Sequence, residues 1–277
     1  MFDRISRSWT LVKASAAVLR SDKELLLFPV ISGIATLLVA ASFAVPVIGL
    51  RLFEGGEIGV LGAVVGFLFY LCQYFVIFFF NTALVGAAMI RLEGGDPTVA
   101  DGLRIARSKL GVILGYAAIA ATVGLLLKAA SERAGLFGRI LIGMLGMAWT
   151  VGTFLVVPIL VTRDVGPIDA VKESMTLLKR TWGENIAGNV GIGLAFGLLT
   201  TLVAIASVAL VVGAAAIGGG KLALVAVVFA VIAIGSVAVI QAALSGVYAA
   251  AVYRYAVDGQ APQGFAGPQL QAAFQAK

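Results

Sequence analysis

Long apolar runs alternate with short polar segments along this chain, and the alternation predicts helices throughout. Six runs, at residues 25–50, 58–90, 110–127, 140–161, 186–217 and 222–253, contain no Asp, Glu, Lys or Arg. Each reaches the roughly 18 apolar residues that mark a membrane-spanning helix. The second run is longer than one crossing needs at about 1.5 Å per residue. The joint Gly218-Gly219-Gly220-Lys221 predicts a tight turn that folds the last two runs into a hairpin.

The polar segments carry a different pattern. In 163–182, Ile168, Val171, Met175, Leu178 and Trp182 recur every three or four positions, opposite Asp169, Lys172, Glu173, Lys179 and Arg180. That is an amphipathic helix, opened by Asp164 or Gly166 with Pro167 in its first turn. Residues 91–109 carry a thinner stripe of Val99, Leu103, Ala106 and Leu110, with Asp96 and Pro97 as the start signal. Residues 1–24 place Phe2, Ile5, Trp9, Val12, Ala16 and Leu19 on one face, flanked by Arg4, Arg7, Lys13 and Arg20. These segments predict helices lying on the membrane surface, with Trp9 near headgroup level.

Composition agrees. The 277 residues are 61% hydrophobic and 12% charged, against about 25% charged in a soluble domain, and the mean hydropathy is +1.05. Too few charges exist to cover a water-facing surface, so lipid is the expected solvent. The basic leader precedes a run long enough to span, which argues against a cleaved signal peptide. The tail 258–277, rich in Gly, Pro, Gln and Ala, is expected to be loosely ordered.

Charge sets an expected orientation. Fifteen of the 20 Lys and Arg residues fall in the leader, in 91–109, in 163–180 and in the C-terminal part; five fall in the intervening loops. The positive-inside rule then puts both termini and all amphipathic segments in the cytoplasm. The net charge of +6 follows from this topology and suits anionic lipid headgroups. Its spread over short segments argues against nucleic acid.

The chain also reads as a threefold internal repeat. Arg91 precedes LEGGDP and Arg163 precedes DVGP; eleven residues after each Arg comes a similar hexad, GLRIAR at 102–107 and SMTLLK at 174–179. The leader has SWTLVK at 8–13. The expected fold is all-α membrane: six transmembrane helices in three hairpin repeats, with cytoplasmic amphipathic surface helices. One six-span domain covers 1–257, with repeats at about 1–91, 92–163 and 164–257, related by an axis along the membrane normal. Mitochondrial carriers share three hairpins, but the charged pair they place after a kinking proline is absent at Pro29 and Pro158.

SWTLVK and SMTLLKRTW, each running into a span of a six-span chain, resemble segments of uncharacterised bacterial integral membrane families. They are similar also to the membrane module of some glycerophosphodiester phosphodiesterases. The resemblance implies a multi-pass protein of the bacterial cytoplasmic (inner) membrane and supplies no catalytic residues, because no soluble phosphodiesterase domain is present.

Candidate chemistry is sparse. The chain has no His and one Cys, Cys72, among Phe69, Tyr70 and Phe75, so no intrachain disulfide and no His or thiolate metal site is expected. No cofactor is implied. Spans free of charge argue against an ion-coupled pump, and the lack of an intramembrane base argues against an enzyme. Among loop carboxylates, Asp96 reads as a helix cap, and Glu93 and Asp164 as partners of the adjacent Arg91 and Arg163. Gly62/Gly66, Gly111/Gly115 and Gly193/Gly197 allow close helix approach. The aromatic block from Phe67 to Phe80 suits an apolar cavity, a subunit interface or a lipid-facing surface.

Gln73, Asn81, Asn189 and Gln241 are the polar residues held at depth. They either hydrogen-bond between helices or line a central uncharged pathway. The first functional reading is binding or passage of a small neutral or amphipathic solute, or a lipid, at the bundle centre. The second is a membrane scaffold or partner subunit acting through Arg4, Arg7, Trp9, Lys13, Lys172, Lys179, Arg180 and Trp182. Expected partners are anionic lipids, with a homo-oligomer or another membrane protein left open.

Overall fold

The computed structural model describes residues 13–49, 59–182, 187–259 and 265, and every regular element among them is helical. Residues 13–21 form α1. A 3-10 turn, Lys23–Leu26, follows, capped by Asp22, whose side chain accepts from the Glu24 N–H. Then come α2 (Leu27–Gly49), α3 (Val60–Leu92), α4 (Val99–Ser108), α5 (Leu110–Arg133), α6 (Leu136–Gly152), α7 (Val156–Thr162), α8 (Pro167–Trp182) and α9 (Ala187–Asp258).

Among the described residues, five helical stretches are long and apolar enough to cross a membrane: Lys23–Val45, Val60–Leu92, Leu110–Arg133, Leu136–Thr162 and Gly197–Asp258. The last spans 62 residues and breaks at Gly219, with φ 64° and ψ −161°. Side chains other than glycine rarely adopt that conformation, so the Gly-rich joint supplies the residue at which two helices kink. The predicted third loop is shorter than expected, because α5 continues through Lys128 to Arg133. The predicted fourth span is broken: α6 ends at Gly152 and α7 begins at Val156.

α3 is the central element. Residues 82–89 are all buried, and α3 packs against α2, α4, α5, α7 and α9. Small residues allow this. A Cβ on Gly102 of α4 would lie 2.5 Å from Phe28 Cζ and 2.7 Å from the Ala83 carbonyl oxygen. A Cβ on Gly246 of α9 would lie 2.5 Å from Leu84 Cδ2. Close approach of this kind is how helices associate in lipid, where apolar bulk is no more favourable between helices than against acyl chains. Of the glycines singled out by spacing, a Cβ on Gly115 would lie 2.9 Å from Pro167 Cγ, whereas one on Gly66, Gly111 or Gly197 would meet nothing within 4 Å.

The surface helices pack differently from their sequence stripes. α1 buries Ala14, Ser15, Val18 and Leu19, so it folds onto the bundle. In α8 the buried line is Ala170, Ser174 and Leu178, while Ile168 is 60% and Met175 38% exposed. The predicted stripe is kept in part: Leu178 is buried and Val171 packs against the core, while Ile168 and Met175 are exposed and the small Ala170 and Ser174 complete the buried face. α4 starts two residues later than Asp96 and Pro97 suggest: Thr98 is its N-cap, in a capping box with Asp101. Thr98 holds the Asp101 carboxyl below its ordinary range. Of the C-terminal tail, Gly259 and Phe265 are described, and Phe265 is buried in the core.

Candidate functional site

A cavity of about 330 Å³ lies among the spans. Pro29 and Ser32 of α2, Asn81 of α3, Tyr116 of α5, Thr150 of α6 and Ser245 of α9 contribute to it. Thr153, Phe154 and Pro158 wall it from the break between α6 and α7. Phe78 stacks on Tyr116 with ring centroids 4.4 Å apart, and Phe154 lies 6.0 Å from Tyr248. The aromatic block therefore reaches inward, through Tyr70, Tyr74 and Phe78, as well as outward.

The polar groups of the lining fall into two kinds. Thr150 and Thr153 donate back to the Gly146 and Trp149 carbonyls of their own helix. Ser32, Asn81 and Ser245 have no side-chain hydrogen-bond partner among the described residues. An unpaired amide or hydroxyl at this depth is costly unless water or a ligand completes it. No lining residue carries a charge.

The comparison with family models adds one fact. A model of DUF6159, described as a family of unknown function, matches residues 60–265. The chain belongs to the DUF6159 family. No curated protein matches it. The DUF6159 match runs from the start of α3 past the end of α9, so it contains every lining residue except Pro29 and Ser32. It lends nothing to the likeness with glycerophosphodiester phosphodiesterase modules.

Of the polar residues singled out in this DUF6159 chain whose side chains are described, Asn81 alone lines the cavity. Gln73 lies elsewhere, donating from Nε2 to the Thr36 carbonyl of α2 at 3.3 Å, with its Oε1 buried and unpaired. Gln241 is half-buried, adjoining the lining residue Ala242. The Asn189 side chain lies outside the described residues, as do the side chains of Arg180 and Trp182 and all of Arg4, Arg7 and Trp9. Lys13, Lys172 and Lys179 are exposed. Among the described residues no group of three or more His, Cys, Asp or Glu is placed to hold a metal ion.

The loop carboxylates pair across the fold, not with their sequence neighbours. Arg91 reaches Asp96 at 3.2 Å, and Glu93 instead takes Arg254 at 2.7 Å. Asp164 takes Lys109, which holds the Asp164 carboxyl below its ordinary range. Arg163 takes Glu173 at 2.6 Å. Asp96 is thus an ion-pair partner and not the cap of α4. Thr162 donates to the Tyr253 hydroxyl at 2.8 Å, and Glu24 accepts from the Val99 N–H at 3.0 Å. These contacts gather the turn before α2, the α3–α4 loop, the α7–α8 loop and the end of α9 at one end of the bundle.

Proposed function

We propose that this is a multi-pass protein of the cytoplasmic membrane that binds or passes a small uncharged, amphipathic molecule at its central cavity, without catalysing a reaction on it. The observation that carries the reading is the trio of Ser32, Asn81 and Ser245, whose hydrogen-bonding groups are unpaired around an uncharged, largely apolar space. A volume of about 330 Å³ is at the lower end of ligand pockets, which run from roughly 300 to 1,000 Å³. A neutral amphiphile fits both halves of this lining: its hydroxyl or carbonyl completes Asn81 and the serines, and its apolar body lies against Phe78, Phe80 and Phe154.

The topology belongs to the same proposal. The break at Gly219 divides a 62-residue apolar stretch into two arms, each long enough to cross, which makes six spans. The first and fifth places of the two described hexads are buried, Gly102 and Ala106 in α4, Ser174 and Leu178 in α8. That correspondence supports the internal repeat. The basic residues gathered at the ion-paired end support a cytoplasmic position for it.

Monooctanoylglycerol, a neutral amphiphile, serves as the probe. Titrated into the purified full-length chain and followed by tryptophan fluorescence, it is expected to bind, and Asn81→Leu to weaken binding about tenfold, the effect of one lost buried hydrogen bond. No binding by wild type, or equal binding by Asn81→Leu, overturns the proposal.

A second reading is favoured by α8, where exposed Ile168 and Met175 accompany Lys172 and Lys179. Such a face suits an anionic membrane surface, as a scaffold would require. Replacing Lys172 and Lys179 with Gln should then lower affinity for phosphatidylglycerol vesicles over phosphatidylcholine vesicles; equal affinity ends that reading.

A further inference from the structure

We infer that Ser174 ties the wall of the central cavity to the surface helix, so that α8 acts as a lever setting the shape of that wall. The inference rests on the cavity reading above and concerns its regulation.

Backbone hydrogen bonds at the break depart from helical spacing. In a continuous helix, the Val156 N–H would reach the Gly152 carbonyl and the Leu155 N–H the Val151 carbonyl. Here Val156 donates to Thr153 at 3.1 Å, and Phe154 takes the Val151 carbonyl at 3.1 Å. Both bonds have tightened to three-residue spacing, which leaves the Gly152 carbonyl and the Leu155 N–H without helical partners. The Ser174 hydroxyl serves both: it donates to Gly152 O at 2.7 Å and accepts from Leu155 N at 3.2 Å. Ser174 is fully buried. It is a splint of one atom, supplied by a helix outside the span it supports.

The break lies within the span Leu136–Thr162. Orphaned backbone groups within a membrane have no water to turn to, so the broken form needs Ser174. Pro158, which has no N–H to donate, lies just beyond. Thr150, Thr153, Phe154, Val157 and Pro158 all line the cavity. When α8 withdraws, the Leu155 N–H and the Gly152 carbonyl are left open to exchange until the span restores four-residue bonds, and that rewinding turns Thr153 and Phe154 relative to the cavity.

α8 is placed to feel the membrane. Ala170 and Leu178 seat it on either side of Ser174, and a Cβ on Gly152 would lie 3.2 Å from Met175 Cε. Outward it presents Ile168, Lys172 and Lys179. Anionic lipid attracts that face and thereby favours one seat of α8 over another, the differential contact a switch requires.

Hydrogen exchange read by mass spectrometry tests this on the full-length chain in phosphatidylcholine nanodiscs, with and without phosphatidylglycerol. In wild type, amides 152–156 should be protected, and protection should change when phosphatidylglycerol is added. Ser174→Ala should raise exchange there about tenfold or more and abolish the lipid response, with amides 247–252 unchanged; Ser174→Thr, which keeps a hydroxyl, should restore both. Unchanged exchange in Ser174→Ala, a lipid response that survives it, or an equal rise at 247–252 overturns the inference. No cavity ligand is used, so failure of monooctanoylglycerol to bind and failure of this coupling are separate results.

Discussion

Glu93 Oε1 lies 2.7 Å from Arg254 Nη1, joining the loop after α3 to the end of α9 across 161 positions of sequence. Arg254 is the more enclosed partner and Glu93 the more exposed. Solvent screening keeps such a pair modest. A double-mutant cycle of Glu93→Gln and Arg254→Gln, followed by thermal unfolding in detergent, should give a coupling of about 0.5–1 kcal/mol that shrinks with added salt.

Gly102 should tolerate no side chain. Gly102→Ala drives a Cβ toward Phe28 and the Ala83 carbonyl, and a backbone atom cannot move aside as a side-chain tip can. A loss of about 1–3 kcal/mol is expected. Gly143→Ala, in open space within α6, should instead gain about 0.5–1 kcal/mol from helix propensity. Paired unfolding curves of the two variants check the contrast.

Asp22 should make stability depend on pH in the unusual direction. Burial raises its carboxyl pKa above the ordinary value, outweighing the backbone bond from Glu24. The folded chain therefore binds this proton more readily than the unfolded one. Ionisation costs stability above the raised pKa, and the cost vanishes as pH falls below the ordinary carboxylate value of about 3.9. Asp22→Asn keeps the oxygen that accepts from Glu24 and removes the charge. It should unfold at a higher temperature than wild type near about pH 7, with the gap closing toward about pH 4.

Gln73 and Asn81 should separate in their effects. Gln73→Leu removes one long hydrogen bond together with a buried, unpaired oxygen, so its effect on stability should be near neutral. Because Gln73 does not line the cavity, binding of monooctanoylglycerol should be unchanged in Gln73→Leu and weakened in Asn81→Leu. Equal loss in both variants would contradict the geometry.

The helices themselves were legible in the sequence, because length and freedom from charge are local properties. The spans, the turn at Gly219 and the start of α8 at Pro167 follow from them. The face that α8 buries followed only in part. Leu178 and Val171 of the stripe meet the core, but Ile168 and Met175 stay out and the small Ala170 and Ser174 go in. The break at 153–155 was hidden too. Its one local hint was Pro158, and the hydroxyl that completes it comes from 22 positions away. Ion pairing failed for the same reason: Glu93 and Asp164 sit beside arginines in sequence and meet Arg254 and Lys109 in space. Asn81 was legible as an intramembrane amide, whereas Ser32 and Ser245 were not, since serine at depth usually bonds its own helix.

The ion pairs described above all cluster at one end of the bundle. Toward the opposite end, among the described residues, Lys128 lies over the Tyr70 ring, 5.8 Å from its centroid, and Arg139 Nε donates to the Ser131 carbonyl at 3.3 Å. Mechanically the molecule resembles a sheaf bound at its base. Thermal or lateral stress that spreads the shafts should therefore part the described helices first at the end away from the ion pairs.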